Sequence, residues 1–280
     1  MLNFISFLPM SYIVLTMMRC VTKKLLNKRF MSTISYVSDV HADYSHKVPK
    51  LLPIANNLIL CGDIGNPINK NVDEFYKNIK QDHDNVYLVP GNHDYDCSPV
   101  YNIEKVNNHK PILQELCYKY GIVLMNNNTV NILPNTTLIG STLWSYPVLP
   151  EKTINTFTKY ETKKNNYIQH LKHHQQSIEY IQDNVQKNSK QNIIIATHYV
   201  PSFKMIEPKY EQLGVYRTSW FATNLEYLIT KPITHWIAGH SHSKLHIKIN
   251  DVECGINAHG YFTDGNEIVK PVLLTTKTTT

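Results

Sequence analysis

Nine side chains that could do chemistry stand in five short stretches of this sequence. Asp39 and His41 lie in "SDVH", and Asp63 lies in "CGDIG". Asn92, His93 and Asp94 lie in "PGNHD", His198 in "ATHY", and His240 and His242 in "AGHSH". Taken singly, each is ordinary. Gly, Asn and Asp are common turn residues, and a lone histidine after a strand is most often a hydrogen-bonded loop residue. Taken together, carboxylates, neutral imidazoles and an amide carbonyl form a mixed oxygen and nitrogen donor set for two divalent cations. Such a set suits Mn, Fe, Zn or Co better than Ca, which prefers all-oxygen shells. No cysteine occupies a ligand position, so a structural thiolate zinc site is not supported. A carboxylate shared by two ions holds them about 3.5–4 Å apart, the spacing of two-metal phosphoryl-transfer sites.

Each stretch follows an apolar run: residues 33–38, "NLILC" (57–61), 86–89, "NIIIAT" (192–197) and "THWIAG" (234–239). These read as buried strands with the polar residues at their carboxyl ends, where open α/β sheets bind ligands. Val72, Phe75, Tyr76 and Ile79 recur at helical spacing and predict a helix over 72–82. Leu113, Leu116, Cys117 and Tyr120 predict another, closed by Gly121. Ile168, Leu171, Ile178, Ile181 and Val185 predict a long one, and a short helix is expected around 223–229. On the long helix, His170 and His174 share a face at i,i+4, and His173 does not. A solvated Gln/Lys/His face is the expectation there. "TVNIL" and "TTLIGSTLW" read as a strand pair. "KLHIKI" and "VECGIN" read as a hairpin around Asn250-Asp251, which is not the ideal turn pair. Strands alternating with helices imply a layered α/β fold.

The 280 residues are 42% hydrophobic and 18% charged, which fits one large domain, with or without an appendage. Of the formal net charge of +6, five positive charges (Arg19, Lys23, Lys24, Lys28 and Arg29) precede Met31, leaving +1 for the rest. The basic character therefore belongs to residues 1–31 and argues little for a nucleic-acid groove. That segment is apolar, then basic. Its apolar run is barely long enough for a span and is broken by Asn3, Ser6, Pro9 and Ser11. Two readings stand: a membrane-directing segment, or a dispensable extension ahead of a catalytic domain over 32–274. Residues 275–280 read as a frayed tail. Five scattered cysteines without CxxC argue against a disulfide scaffold and for a reducing, cytoplasmic setting, with membrane association the alternative.

The blocks Asp39-Val40-His41, Gly62-Asp63, Gly91-Asn92-His93-Asp94, His198 and Gly239-His240-Ser241-His242 resemble the calcineurin-like metallophosphoesterase superfamily, over nearly all of residues 33–260. "GSTLW" and "NAHGY" look like further family segments. The resemblance implies a four-layer αββα sandwich of two mixed β-sheets, and two metal ions (Mn2+, Fe2+/3+ or Zn2+). It implies that Asp39, His41 and His242 hold the first ion, that Asn92, His198 and His240 hold the second, and that Asp63 bridges them. His93 would stay off the metals and protonate the leaving oxygen, and Asp94 would orient it. The implied reaction is hydrolysis of a phosphomonoester or phosphodiester by hydroxide generated at the metal pair. Alternatives are a nuclease and an inactive scaffold, although a scaffold should have lost a ligand and none is missing. Family relatives often carry Arg where His259 stands. With arginine scarce, Arg217 is the one candidate substrate contact, in an aromatic segment (199–220) that reads either as a substrate lip or as a packed loop. A small phosphoester is the default substrate.

Overall fold

The structure is a computed structural model and describes residues 33–97, 101–150, 153, 159–262 and 267–274. The expected extension (1–31) and tail (275–280) lie outside the described residues. In chain order the strands are β1 (Ile34–Val37), β2 (Lys50–Leu51), β3 (Asn57–Cys61), β4 (Asn85–Val89), β5 (Val123–Leu124), β6 (Asn128–Leu133) and β7 (Thr136–Ser141). They continue with β8 (Asn192–Thr197), β9 (Ile233–Ala238), β10 (Lys244–Ile249), β11 (Val252–Asn257), β12 (Ile268–Val269) and β13 (Val272–Leu274). The helices are α1 (Lys70–Asp82), α2 (Ile103–Tyr120), α3 (Glu161–Lys187) and the one-turn α4 (Val215–Thr218).

One sheet runs β13-β1-β3-β4-β5 and the other β10-β11-β9-β8-β7-β6, with β12 and β2 paired separately. The pairs β1–β3, β3–β4, β7–β8 and β8–β9 are parallel, whereas β1–β13, β6–β7 and β10–β11 are antiparallel, so both main sheets are mixed. The near-continuous apolar runs are explained by burial on both faces. Alternate residues Ile34, Tyr36, Ile59, Cys61, Tyr87 and Val89 of the first sheet form one cluster with Leu138, Ile194, Ala196 and Ile237 of the second. The intervening residues, such as Leu58, Leu60, Leu88, Ile193 and Ile195, pack with the helices. This is the expected αββα layering.

Local signals account for the helix ends. Asn69 caps α1 through the Asn71 amide, and Asn102 caps α2 through those of Glu104 and Lys105. Gly121, at φ +63°, ends α2 in the left-handed region. The β10–β11 hairpin places Asn250 and Asp251 at φ +46° and +62°, the backbone a primed turn requires, so this pair serves the turn well.

Three expectations are corrected. Residues 223–229 form single turns rather than a helix. Leu225 donates its amide to Pro201 and Leu228 to Leu225, because the buried Leu225 and Ile229 are pinned separately to the core. The histidine face of α3 is buried, not solvated. After β7 the chain turns through Leu143 and Trp144, both at positive φ, and their carbonyls point inward without a strand partner. His174 Nδ1 donates to the Leu143 carbonyl at 3.0 Å and His170 Nε2 donates to that of Ser145 at 2.8 Å. Ile168, expected on the apolar face, is 48% exposed.

Burial pushes His170 down to about 3 and lowers His174. Both rings fold neutral, while the unfolded chain takes up protons near pH 6.5. The stabilisation is complete above that pH and is lost as pH falls toward 3. Urea unfolding across this window should show wild-type stability dropping more steeply than that of His170→Gln, by up to about 1.4 kcal/mol per pH unit. Parallel profiles would refute the assignment.

Candidate metal centre

The five loops meet above the carboxyl ends of β1, β3, β4, β8 and β9. Asp39, His41, Asp63, His240 and His242 all adopt positive φ, between 48° and 65°. Each such non-glycine residue costs about 1–3 kcal/mol, and Asp and His tolerate the region better than most. The loops are bonded to one another. Asp39 N donates to Gly62 O at 2.9 Å, His41 N to Asp63 O at 3.0 Å, and Gly239 N to His198 O at 2.9 Å. Two glycines permit this crowding. A Cβ on Gly91 would lie 2.2 Å from Asp63 Oδ1, and one on Gly62 would lie 2.4 Å from His198 Nδ1.

The polar atoms converge. His41 Nε2 and His242 Nε2 are 3.1 Å apart, and His242 Nε2 is 3.5 Å from Asp39 Oδ1. His198 Nε2 lies 3.3 Å from Asp63 Oδ1, 3.1 Å from Asn92 Oδ1 and 3.0 Å from His240 Nδ1. Asp39, His41 and His242 thus form one group with ligand atoms within 4.8 Å of each other, and Asp63, His198 and His240 form another. Asp63 also belongs to a third group, with His41 and His93, so its carboxylate stands between the first two.

Second partners aim these donors. His198 donates Nδ1–H to Cys61 O at 2.9 Å, which leaves Nε2 facing the centre. Asn92 donates Nδ2–H to Cys97 O at 3.2 Å, which turns its carbonyl oxygen inward. Asp39 accepts from Ser38 Oγ and from the His240 amide.

The donor set fits cations. Burial lowers His41 to about 3 and also lowers His240 and His242, so each ring keeps a lone pair at neutral pH. His41 Nδ1 is buried without a hydrogen-bond partner. Burial pushes Asp39 up to about 7. Burial acts the same way on Asp63, but the charge and hydrogen bond of His198 outweigh it and hold Asp63 below the usual carboxylate range. His198 in turn is lifted to about 9 by Asp63 against the cost of its own burial. Neutral His41, His240 and His242, the buried Asp39 and the Asp63–His198 pair set donor atoms 3.0–3.5 Å apart, which matches the donor spacing around an ion with ligands at about 2.0–2.2 Å; His198, charged beside Asp63, would release its proton on binding one.

All nine side chains in the five stretches reach this region, but Asp94 does not do what was expected of it. Its carboxylate accepts from four backbone amides: Asp63 at 2.9 Å, Gly91 at 2.7 Å, Ile64 at 3.0 Å and Gly65 at 3.1 Å. No hydrogen bond joins it to the His93 ring. It ties two loops together instead of orienting the histidine. The His93 amide donates to Asp63 Oδ1 at 2.8 Å, and its ring packs edge-on to His41. Arg217 is exposed on α4, and no hydrogen bond, ion pair or ring contact joins it to the cluster. Tyr199 is buried against His240 with ring centroids 4.1 Å apart, which makes this end of the aromatic segment a packed loop. Cys97 is buried, with its thiol pushed up to about 11 by burial, and acts as a filler. Tyr44 and Tyr261, at the mouth of the site, were not singled out by sequence. Tyr261 stacks on His41 at 4.4 Å, and Tyr44 stands 5.9 Å from His93.

A family model described as calcineurin-like phosphoesterase matches residues 32–244, and the chain belongs to that family. It is 27% identical over 270 residues to "Uncharacterized protein L509" of Acanthamoeba polyphaga mimivirus, covering 84% of this chain and 94% of that one. Its fold is similar, with a TM-score of 0.57 and 14% identity, to that of phosphopantetheinyl hydrolase (PptH) from Mycobacterium tuberculosis, over 84% of this chain and 90% of that one. The family is one of phosphoester hydrolases, and this chain carries clusters able to hold its metal pair.

Two substitutions test the geometry. Asp63→Asn is expected to weaken both ion sites together, read by isothermal titration with Mn2+; loss of one site alone would contradict the shared position. Gly91→Ala, which adds only a methyl, is expected to displace the Asp63 carboxylate and lower Mn2+ affinity by at least about tenfold.

Proposed function

We propose that this chain hydrolyses a small phosphoester, mono- or diester, using a pair of divalent ions. In this reading Asp39, His41 and His242 hold one ion, Asn92, His198 and His240 hold the other, and Asp63 reaches both. The observation that carries it is the position of the Asp63 carboxylate, 3.3 Å from His198 and grouped both with His41 of the first set and with His198 and His240 of the second. When bound, the ions supply Lewis acidity, which neutralises charge on phosphoryl oxygens and makes hydroxide accessible near neutral pH.

The chain's own residues do the rest. Asp39 and Asp63 offset half the charge of two divalent ions, which leaves the site attractive to an anionic phosphoryl group. His93 is partly exposed at the rim, beside His41 but with its backbone anchored on Asp63, where it can give a proton to the leaving oxygen. Asp94 acts one layer below, by fixing the loops that carry Asp63 and His93. Among the described residues, no helix is long and apolar enough to cross a membrane.

The reading is tested with bis(p-nitrophenyl) phosphate and p-nitrophenyl phosphate. Turnover is expected with Mn2+, lost on chelation and restored on re-addition; no turnover with Mn2+, Fe2+ or Zn2+ would refute it. His93→Ala is expected to keep Mn2+ stoichiometry and to lose about 10²–10⁴-fold on esters with alkyl leaving groups, with a smaller loss on p-nitrophenyl esters. Equal losses on both would remove His93 from proton donation.

A further inference from the structure

One side of the site is lined by features that metal binding does not use. Tyr44 and Tyr261 are 58% and 48% exposed, and their rings meet edge to face at 5.3 Å. One face of Tyr261 lies on His41. The same residue lines a cavity of about 190 Å³ shared with His259, Phe262, Lys244 and Lys270. The cavity is too small for a whole substrate and large enough for one end of it. Its walls combine aromatic surface, from Tyr261 and from Phe262 packed 4.5 Å from His259, with positive charge. Neither Lys244 nor Lys270 pairs with a carboxylate among the described residues. Glu207, which accepts from the Lys244 amide, is already held by Lys209 at 2.6 Å.

We propose that this flank is a leaving-group subsite for a group that bears both a planar ring and a second anion. It rests on the reading above, since it places the reacting phosphoryl group at the metal centre beside His41. Tyr44 stands next to His93, the residue assigned to the leaving oxygen. A leaving group then departs along the tyrosine pair toward the cavity that Tyr261 also lines. Exposed tyrosines offer flat apolar faces to a ring, and two unpaired lysines beyond them offer point charges to an anion. A simple alkyl phosphate would leave all of these contacts unused.

The test uses the Mn2+-loaded protein and competition against bis(p-nitrophenyl) phosphate hydrolysis. The competitors are ribose 5-phosphate (no planar ring), AMP (planar ring) and adenosine 3′,5′-bisphosphate (planar ring and second anion). Inhibition constants are expected to fall along that series, by about tenfold for the ring and by several-fold more for the second phosphate. Tyr261→Ala should erase the first step. Lys244→Ala with Lys270→Ala, which touches no proposed metal ligand, should erase the second and leave the first. A parallel Mn2+ titration checks that Tyr261→Ala has not acted through His41. Equal inhibition by the three competitors, or steps that survive both variants, would overturn the subsite while leaving the phosphoesterase reading intact. Absence of chromogenic turnover would strike that earlier reading instead.

Discussion

The Asp94 carboxylate is fully buried and accepts four backbone amides from two separate loops. Backbone N–H groups at the ends of β3 and β4 leave the sheet ladder where no strand continues, and a buried amide without a partner is costly. One carboxylate satisfies all four. The consequence is geometric. The loop after β3 is drawn onto the loop after β4 until Gly91 leaves no room for a side chain beside Asp63. The His93 amide then reaches the Asp63 carboxylate, and the His/Asp cluster forms around that contact.

The second sheet completes what the first begins. His198, at the end of β8, donates to the Cys61 carbonyl at the end of β3, so a bond across the sandwich aims the ligand nitrogen. Gly239, at the end of β9, packs against Ser38 and Cys61 of the first sheet. The inter-sheet core sets this spacing from below, through Tyr36, Ile59 and Cys61 against Ile194, Ala196 and Ile237. The site therefore depends on the packing of two layers, and each sheet by itself holds only part of it.

Positive φ at five of the candidate ligands and burial of the Asp39 carboxylate are both unfavourable for the protein alone. Their concentration in one place is what a functional site looks like energetically. Strain and desolvation are tolerated where cations relieve the charge and where rigid loops keep donors from reorganising. Rigidity also separates the roles of neighbouring residues: His93 and Asp94 are adjacent in the chain, yet one faces the rim and the other faces the loop backbones.

Much of this was legible in the chain itself. Runs such as "NLILC" and "NIIIAT" favour buried strands because they are apolar without a helical period, too short for a buried helix, and bounded by turn residues. The five polar stretches after such runs specify a shared edge, because parallel strands place their carboxyl ends together. Donor chemistry follows from residue type alone. What only the tertiary structure decided are the properties that depend on which surfaces meet. Asp94 bonds to backbone amides because two loops converge on it. His170 and His174 are buried because the carbonyls of Leu143 and Ser145 need donors there. Tyr44 and Tyr261, far apart in sequence, become neighbours only when the loop after β1 meets the one after β11. Periodicity reports one element's apolar face; it carries no information about which polar group another element will bring to that face, and that choice is made by packing.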